Sequence, residues 1–479
     1  MPENNQKELL AALLSGVLPN GVLAKMLSGD EKIYNPVVDR TGDKILIPEG
    51  AHLPDVISSL QRQHEREEQR TRIHVTIPVS PWDGALALVH AIEQNLGVVI
   101  QQGSAHQIDV EVELGKTIQV PWGEFELPGM EGAEVETDFD LDSGRVVFQC
   151  HVTCKRKYED RVRRLLDTVR ERAMKESLHR GKAFSIVFKD KDGREIKMPK
   201  PKFFEYSGEQ PVFRAELAAA IERNVFVPIR HSNELREMGE TLKRGILFAG
   251  EYGVGKTLLA SNIANVATAE GWTFIYVKDS EELPEALRYA QQYQPVVVFA
   301  EDVDRVAGSK RTDEVNELLN QLDGIDSKTA QIFTILTSNH PDQINEAMRR
   351  PGRIDMVLEV LSPDEDTVSR MIRQFSKGNL DPEADLTEVS GILAGEAPAR
   401  VRETIGRAKL EALRRTGKAN AKINGDDLAA VAKEVKAESA LFRKPNEAAK
   451  PAAKELADGL LAASNAMHKV LGNGHAVGA

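Results

Sequence analysis

Residues 250–257, GEYGVGKT, have the residue types and spacing of a phosphate-binding loop. The apolar run ILFA precedes them and the helical pattern LLASNIA follows, so the loop is expected to join a strand to a helix. Glycines let the backbone N–H groups face a polyphosphate, and the new helix adds the positive end of its dipole. Lys256 is then expected to reach the β- and γ-phosphates, and the Thr257 hydroxyl to bind Mg²⁺. The sequence thus predicts binding of a nucleoside triphosphate by Gly250, Gly253, Val254, Gly255, Lys256, Thr257 and Leu258.

Acidic residues follow another apolar run, VVVFA at 296–300. We expect Glu301 and Asp302 to lie at the tip of this strand, where one carboxylate holds the Mg²⁺ shell and the other polarises the water that attacks the γ-phosphate. A further predicted strand at 332–337 leads to Asn339, which is expected to orient that water. These residues predict hydrolysis of the bound triphosphate.

Arginines are concentrated in the segment RRPGRID at 349–355. The Pro-Gly pair makes a helix unfavourable here, so the arginines are expected on a loop. A guanidinium directed at a neighbouring subunit's γ-phosphate stabilises transition-state charge. The alternative is a loop of surface salt bridges.

Taken together, residues 225–436 resemble an AAA ATPase module. The motifs that carry this resemblance are, in chain order, GILFAGEYGVGKT, PVVVFAEDVD, LLNQLDGI, TSNHPDQI and EAMRRPGRID. The resemblance implies an α/β fold with a parallel sheet between helices at 225–361, and a four-helix lid at 362–440. It also implies a homo-oligomeric ring, usually a hexamer, with ATP bound between neighbours.

The resemblance also implies roles for arginines outside the phosphate-binding loop. By position, Arg350 and Arg353 would reach into the adjacent subunit's site, with Arg349 as a weaker candidate. Arg400, in APAR near the start of a predicted lid helix, is a candidate contact to the γ-phosphate, the alternative being a surface arginine.

Two features depart from the usual AAA pattern. The order Glu301 then Asp302 reverses the usual Asp-Glu, which places the longer carboxylate at the magnesium position and the shorter at the water-activating position. In this order, and in the Asn339-His340 pair after the strand predicted at 332–337, the chain is similar to the mitochondrial Rieske-protein translocase type of AAA protein, without its membrane segment. The second departure is that no aromatic-hydrophobic-glycine pore loop is visible between 277 and 295.

Composition favours a cytoplasmic protein. The 479 residues include no apolar stretch long enough to span a membrane, and the N-terminus has no signal-peptide pattern. Asp and Glu number 74 against 62 Lys and Arg, so a role in holding nucleic acid is not indicated. The two cysteines, Cys150 and Cys154, are expected on one face of a strand as buried thiols rather than as metal ligands.

Outside the AAA-like region the predicted organisation is coarser. Residues 1–70 are expected to form an N-terminal arm and a charged helix, 71–200 an α+β domain of unpredicted role, 201–224 a linker, and 441–479 a partly disordered tail. A helix predicted over 157–177 has one apolar face, comprising Val162, Leu165, Leu166, Val169 and Ala173, which is expected to pack into a core.

The function predicted from these features is an ATP-hydrolysing ring that remodels a protein client, which the sequence does not identify. One alternative is a nucleotide-gated scaffold that binds ATP to assemble and hydrolyses little of it, as the Glu301-Asp302 order suggests. Another is a nucleic-acid remodeller of the wider AAA+ class, which would show ATPase stimulation by DNA or RNA.

Overall fold

The chain folds into two compact units, each built from separate stretches of sequence. The computed structural model describes residues 53–98, 106–142, 145–189, 192, 194, 196, 199–205, 208–306, 313–324, 330–418 and 421–442. The first unit comprises Met1–Glu205, Gly271–Val277 and Pro284–Val296, and the second comprises the rest. The domain boundaries expected from the sequence are finer than this division and stay a prediction. The arm before residue 53 and the tail after 442 lie outside the described residues.

The described part of the first unit begins with an antiparallel sheet and three long helices. Its elements before residue 206 are α1 Leu53–Glu68, β1 Arg70–Ile77, α2 Pro81–Leu96, β2 Gln107–Glu113, β3 Lys116–Pro121, β4 Gly123–Glu126, β5 Glu134–Asp142, β6 Arg145–Lys155, α3 Glu159–Lys175 and β7 Ala183–Ser185. Strands β1, β6, β5 and β4 form one sheet in that order, and β2 and β3 form a separate hairpin. The Ser80 side chain caps α2 by accepting from the backbone N of Trp82.

The core of this sheet-and-helix region follows the predicted pattern. Alternate residues of β1 are buried, as expected of a strand with one solvent face. The predicted apolar face of α3 is buried in the same core, and this confirms its packing role. Cys150 and Cys154 are both buried free thiols, whereas His151 between them is partly exposed, so the predicted facing of these residues is confirmed.

In the described part of residues 206–361, three short helices come first, and strands then alternate with helices up to the last two strands. The elements are α4 Ala215–Ile221, α5 Val227–Arg230, α6 Ser232–Glu237, β8 Arg244–Ala249, α7 Lys256–Ala269, β9 Thr273–Val277, α8 Leu283–Ala290, β10 Val296–Ala300, α9 Asp313–Gly324, β11 Ile332–Ser338 and β12 Met356–Glu359. In the second unit the strands lie in the order β12, β8, β11, β10, and both β11 and β12 run parallel to β8. Strands β10 and β11 are buried along their whole length, as is usual where helices cover both faces of a parallel sheet.

Four helices complete the described part of the second unit. They are α10 Glu365–Phe375, α11 Thr387–Leu393, α12 Pro398–Thr416 and α13 Gly425–Phe442. These correspond to the four lid helices predicted from the sequence and pack around one apolar cluster that includes Ile372, Val401 and Leu428. Within the described residues, no helix combines the length and apolar character needed to cross a membrane.

Strand β9 and most of α8 belong to the first unit, although they follow the phosphate-binding loop in sequence. Strand β7 pairs with β9 in parallel. Tyr293, just after α8, is fully buried with its ring 5.6 Å from that of Phe184, and the Phe203 ring stacks on His179 at 5.9 Å. Phe203 lies at the start of the predicted linker, so this end of the linker packs within the first unit.

Candidate active site

The loop predicted to bind phosphate joins β8 to the first turn of α7. Gly255 has a φ of 103°, in the left-handed region that L side chains rarely adopt. At Gly250 a Cβ atom would lie 2.4 Å from the carbonyl oxygen of Val360, so only glycine fits there. Both glycines are therefore required by the shape of the loop, which turns its backbone towards the N-terminus of α7.

The Lys256 ammonium is held inside this loop. Its Nζ donates to the backbone oxygens of Gly250 and Glu251 at 2.7 and 2.8 Å, and to Oδ1 of Asn339 at 2.7 Å. Burial lowers the Lys256 pKa from its ordinary value, and the nearby carboxylates, of which Asp302 contributes most, act against that shift. All three ammonium protons have acceptors here, so binding of a phosphate requires an exchange of hydrogen bonds.

The predicted hydrolytic residues converge next to Lys256. Thr257 Oγ1 donates to Oε1 of Glu301 at 2.6 Å, and Asn339 Nδ2 donates to Oδ1 of Asp302 at 2.6 Å. Asp302 has a φ of 48°, unusual for a residue with a side chain, and its backbone N donates to Oγ1 of Thr337 at 3.2 Å. Asn339 therefore bridges the lysine and Asp302, while Glu301 faces the threonine.

These side chains line a cavity of about 320 Å³. Its lining consists of Tyr252, Gly253, Gly255, Lys256, Thr257, Glu301, Asp302, Thr337 and Asn339. Tyr252 and Thr337 were not predicted as site residues. Their positions, inside the loop motif for Tyr252 and near the end of the strand predicted at 332–337 for Thr337, are the sequence signals that identify them. The Tyr252 ring also meets His340 edge-on, with 6.3 Å between the ring centroids.

A second, mostly apolar cavity of about 230 Å³ adjoins the first and shares Gly253 and Gly255 with it. The rest of its lining consists of Pro211, Val212, Phe213, Val254, Leu258, Met371, Phe375, Pro398, Ala399 and Arg402. The Arg402 guanidinium lies 3.8 Å from the Phe375 ring centroid and pairs with Glu209 at 2.8 Å. Val254 and Leu258, both predicted to contact nucleotide, thus line this cavity.

Arg400 is placed differently from Arg402. Its guanidinium pairs with Glu403 at 2.7 Å, one turn further along α12, and it lines neither cavity. The structure therefore brings Arg402 rather than Arg400 to the phosphate loop, and a role for Arg400 at the γ-phosphate stays a prediction.

The three arginines of the RRPGRID loop lie outside both cavities of their own chain. Arg353 pairs with Asp323, and Arg349 donates to the backbone oxygen of Pro341. Arg350 is exposed, and within the described part of the chain its guanidinium has no hydrogen-bond or ion-pair partner. Of the three, Arg350 is the one whose guanidinium is available to a neighbouring molecule.

Asp304 and Ser338 complete the polar network and were missed by the sequence interpretation. Ser338 is fully buried at the end of β11, and its Oγ donates to Oδ1 of Asp304 at 2.6 Å. The signal for Asp304 is its spacing, two residues after Asp302 in the segment EDVD.

Hard oxygen ligands for Mg²⁺ are available at Thr257 and Glu301. A hydroxyl and a carboxylate oxygen 2.6 Å apart suit this ion, which usually takes few protein ligands and completes its shell with phosphates and water. Among the described residues, no three His, Cys, Asp or Glu side chains converge as a metal site. The residues present therefore fit a metal ion that arrives with a nucleotide.

Comparison with known proteins shows which protein family residues 246–361 resemble. A model of the family described as "ATPase family associated with various cellular activities (AAA)" matches residues 246–361. This is an AAA ATPase domain. It contains the phosphate loop, the acidic pair, Asn339 and the arginine loop.

Two similar curated proteins are proteasome components. The 26S proteasome regulatory subunit 4 homolog of Schizosaccharomyces pombe is 32% identical over 217 residues, covering 40% of this chain and 48% of that protein. The probable 26S proteasome regulatory subunit 4 of Caenorhabditis elegans is 34% identical over 191 residues, covering 35% and 42%. The chain thus spans less than half the length of these relatives. Neither supports the finer resemblance to the Rieske-protein translocase type.

Proposed function

We propose that the chain binds ATP with Mg²⁺ in the AAA domain and hydrolyses it to ADP and phosphate. The observation that carries this proposal is the convergence of Lys256, Thr257, Glu301, Asp302 and Asn339 on one cavity beside the N-terminus of α7. A helix N-terminus and a buried ammonium favour a polyphosphate, and two carboxylates allow separate metal-binding and water-activating roles.

The adjoining apolar cavity is proposed to hold the nucleoside. It meets the phosphate cavity at Gly253 and Gly255, so a base placed in it leaves the phosphates at the loop. Apolar walls that include Phe213, Met371 and Phe375 suit the faces of a flat heteroaromatic ring. Because part of the lining comes from α10 and α12, nucleotide binding would link the lid helices to the loop.

The residues of the site divide the hydrolysis step between them. Lys256 binds the β- and γ-phosphates, and Asn339 orients the attacking water near Asp302. As the water oxygen bonds to the γ-phosphorus, Asp302 accepts the water proton and the bond from the γ-phosphorus to the bridging oxygen breaks, releasing ADP. Thr257 and Glu301 would hold Mg²⁺, which would supply positive charge to neutralise the phosphates.

We further propose that the chain forms a homo-hexameric ring in which Arg350 of each copy completes a neighbour's site, and that this ring remodels a protein client. Exposed Arg350 and the similarity to proteasome regulatory subunits support this. The client's identity is not proposed, and a cytoplasmic location stays a prediction.

A nucleotide-gated scaffold is the second candidate function. The observation that favours it is the hydrogen bond from Asn339 to Asp302, because it engages the short side chain that is proposed to activate water. Such a protein would bind ATP and assemble with little turnover.

Steady-state ATP hydrolysis across a range of protein concentrations separates the two candidates, with Lys256→Ala as the blank. Turnover above the blank that rises cooperatively with concentration is the result expected of a ring ATPase with shared sites. Nucleotide binding and assembly without turnover would overturn the hydrolytic proposal and leave the scaffold.

A further inference from the structure

Asp304 has no part in the reaction proposed above, yet its carboxylate lies at the centre of the site's supporting contacts. It sits in the short 3-10 helix Val303–Arg305, immediately after the strained backbone of Asp302. A partly exposed acid on such a turn would ordinarily face solvent, whereas here one oxygen turns towards the end of β11.

That oxygen receives two hydrogen bonds from consecutive residues. Ser338 Oγ donates to Oδ1 of Asp304 at 2.6 Å, and the backbone N of Asn339 donates to the same atom at 3.3 Å. Hydrogen bonds to a charged acceptor are stronger than neutral ones, and the first of these is short. Asp304 thus fixes both the last side chain of the strand and the backbone from which the Asn339 side chain projects.

The contacts extend to the phosphate loop. The backbone oxygen of Ser338 accepts from the N of Gly250 at 3.1 Å, which ties the end of β11 to the first residue of the loop. The Asn339 side chain in turn contacts Lys256 and Asp302. A displacement at residues 338–339 would therefore move the amide that bridges these two groups.

We propose that Asp304 is a positioning residue for ATP hydrolysis, which sets the location of Asn339 through its paired hydrogen bonds to Ser338 and to the Asn339 backbone. This inference rests on the proposed function and assigns a new residue to the same site. Asp304 acts through Asn339 and does not touch the nucleotide. Loss of its carboxylate should impair the chemical step more than nucleotide binding, because a displacement of about 1 Å can reduce a rate on the order of 100-fold.

The experiment compares three variants in the full chain. Asp304→Ala removes both hydrogen bonds, and Asp304→Asn keeps an oxygen acceptor of the same size without the charge. Asp342→Ala is the matched control, because Asp342 is an exposed acid three residues after Asn339 with no partner among the described residues. For each, kcat and KM for ATP are measured beside the Kd of a fluorescent ATP analogue.

We expect Asp304→Ala to lower kcat by about 10- to 100-fold with Kd changed less than about 3-fold, and Asp304→Asn to recover most of kcat. Asp342→Ala should match the wild type. In an Asn339→Ala background, Asp304→Ala should have no further effect on kcat, because the residue through which it acts is gone. A purely structural role would instead add to the Asn339→Ala loss.

Other results overturn the proposal. If Asp304→Ala keeps kcat near the wild-type value while Asp302→Asn abolishes turnover, the proposed function stands and the role of Asp304 is wrong. If Asp304→Ala does not fold, kcat is measured for Ser338→Ala instead, because that variant lacks the hydroxyl that donates to Asp304. If the wild-type chain binds ATP without turnover, the proposed function fails, and the same variants are compared by their preference for ATP over ADP. Under this proposal that preference falls in Asp304→Ala, and an unchanged preference overturns it.

Discussion

Arg353 and Asp323 form a two-pronged ion pair within one chain. Nε of Arg353 donates to Oδ1 of Asp323 at 2.8 Å and Nη2 donates to Oδ2 at 2.5 Å, while Nη1 donates to the backbone oxygen of Ala347 at 2.6 Å. Only 14% of the Arg353 side chain is exposed. Arg353 thus ties the arginine loop to the end of α9. Arg353 could contact a nucleotide in a neighbouring subunit only if its ion pair with Asp323 broke, whereas the Arg350 guanidinium has no such ion pair to break within the described part of the chain.

Replacement of Arg350 by alanine is expected to abolish ATP turnover at the active site of the neighbouring subunit, not at that of its own chain. Loss of a guanidinium that stabilises transition-state charge typically costs about 10³-fold or more in kcat, and nucleotide affinity should change little. The measurement is ATP hydrolysis by Arg350→Ala alone and after mixing with Asp302→Asn. Mixed rings contain some interfaces with an intact Asp302 and an intact Arg350, so partial recovery is expected.

The control for this mixing experiment is Arg373→Ala, since Arg373 is an exposed arginine on α10 with no partner among the described residues. It should hydrolyse ATP like the wild type. Absence of recovery in the mixture would count against an arginine acting between subunits.

Replacement of Arg353 by alanine is expected to reduce stability in addition to any effect on the ring. It leaves the Ala347 oxygen and the Asp323 carboxylate without their donors, a loss of about 1 kcal/mol since Asp323 is half exposed. Thermal unfolding at a concentration too low for assembly tests this. Arg350→Ala, measured in parallel, should unfold at the wild-type temperature, and an equal shift in both variants would argue against the ion pair as the cause.

The phosphate loop and its acidic partners were predictable because short-range sequence fixes them. A glycine with positive φ, the helix that starts at Lys256 and acids at a strand tip are all local features. Arg400 pairs with Glu403 one turn along the same helix, which is a local contact, but the partners of Arg353 and Arg402 were not predictable. They depend on which side chains tertiary packing brings within reach, and Asp323 is separated from Arg353 by 30 residues.

Exchange of each carboxylate for its amide should separate metal binding from water activation. Glu301→Gln removes the negative charge that faces Thr257, so we expect a higher Mg²⁺ requirement for nucleotide binding. Asp302→Asn removes the proton acceptor, so binding should persist while turnover falls by about 10²-fold or more. A titration of ATP-analogue binding with Mg²⁺, run beside the hydrolysis assay, distinguishes the two. Identical profiles for both variants would contradict the assignment of separate roles.

Asp83 should make the first unit less stable as pH rises from about 4 to about 6. Burial raises the pKa of this carboxyl from 3.8 to about 6, although Ser177 Oγ and the Leu178 N each donate to it at 2.7 Å. The folded state binds this proton more tightly than the unfolded state, so stability is greatest below the unfolded pKa and falls until the folded pKa is passed. The shift corresponds to about 3 kcal/mol.

The test is denaturant unfolding followed by tryptophan fluorescence, because the chain's three tryptophans, Trp82, Trp122 and Trp272, all belong to the first unit. Asp83→Asn should flatten the dependence of the unfolding free energy on pH between about 4 and 6. Asp167→Asn, which alters an exposed acid on α3, should retain the wild-type slope. A steep slope in Asp83→Asn would assign the titration to another group.

The antiparallel region of the first unit was predicted less completely than the AAA domain. Alternating apolar residues predict strands β1, β2, β3 and β6, whereas the sequence does not predict β4 or β5. The β5 sequence EVETDFDLD is so acidic that β-propensity alone disfavours a strand. Pairing with β4 and β6 overrides that preference, and such pairing is not visible in local sequence.

Strand β9 and residues Pro284–Val296 belong to the first unit, so the polypeptide leaves that unit after residue 205 and first returns to it at 271. The phosphate loop lies within the excursion, and no single cut of the chain yields two complete folding units. A truncated ATPase that starts near residue 206 would lack β7, the parallel partner of β9, and Phe184, which contacts Tyr293. Such a fragment would present a bare strand edge and uncovered aromatic rings, so we expect it to aggregate. Loss of activity on removal of the N-terminal residues would then report failed folding rather than a lost regulatory domain.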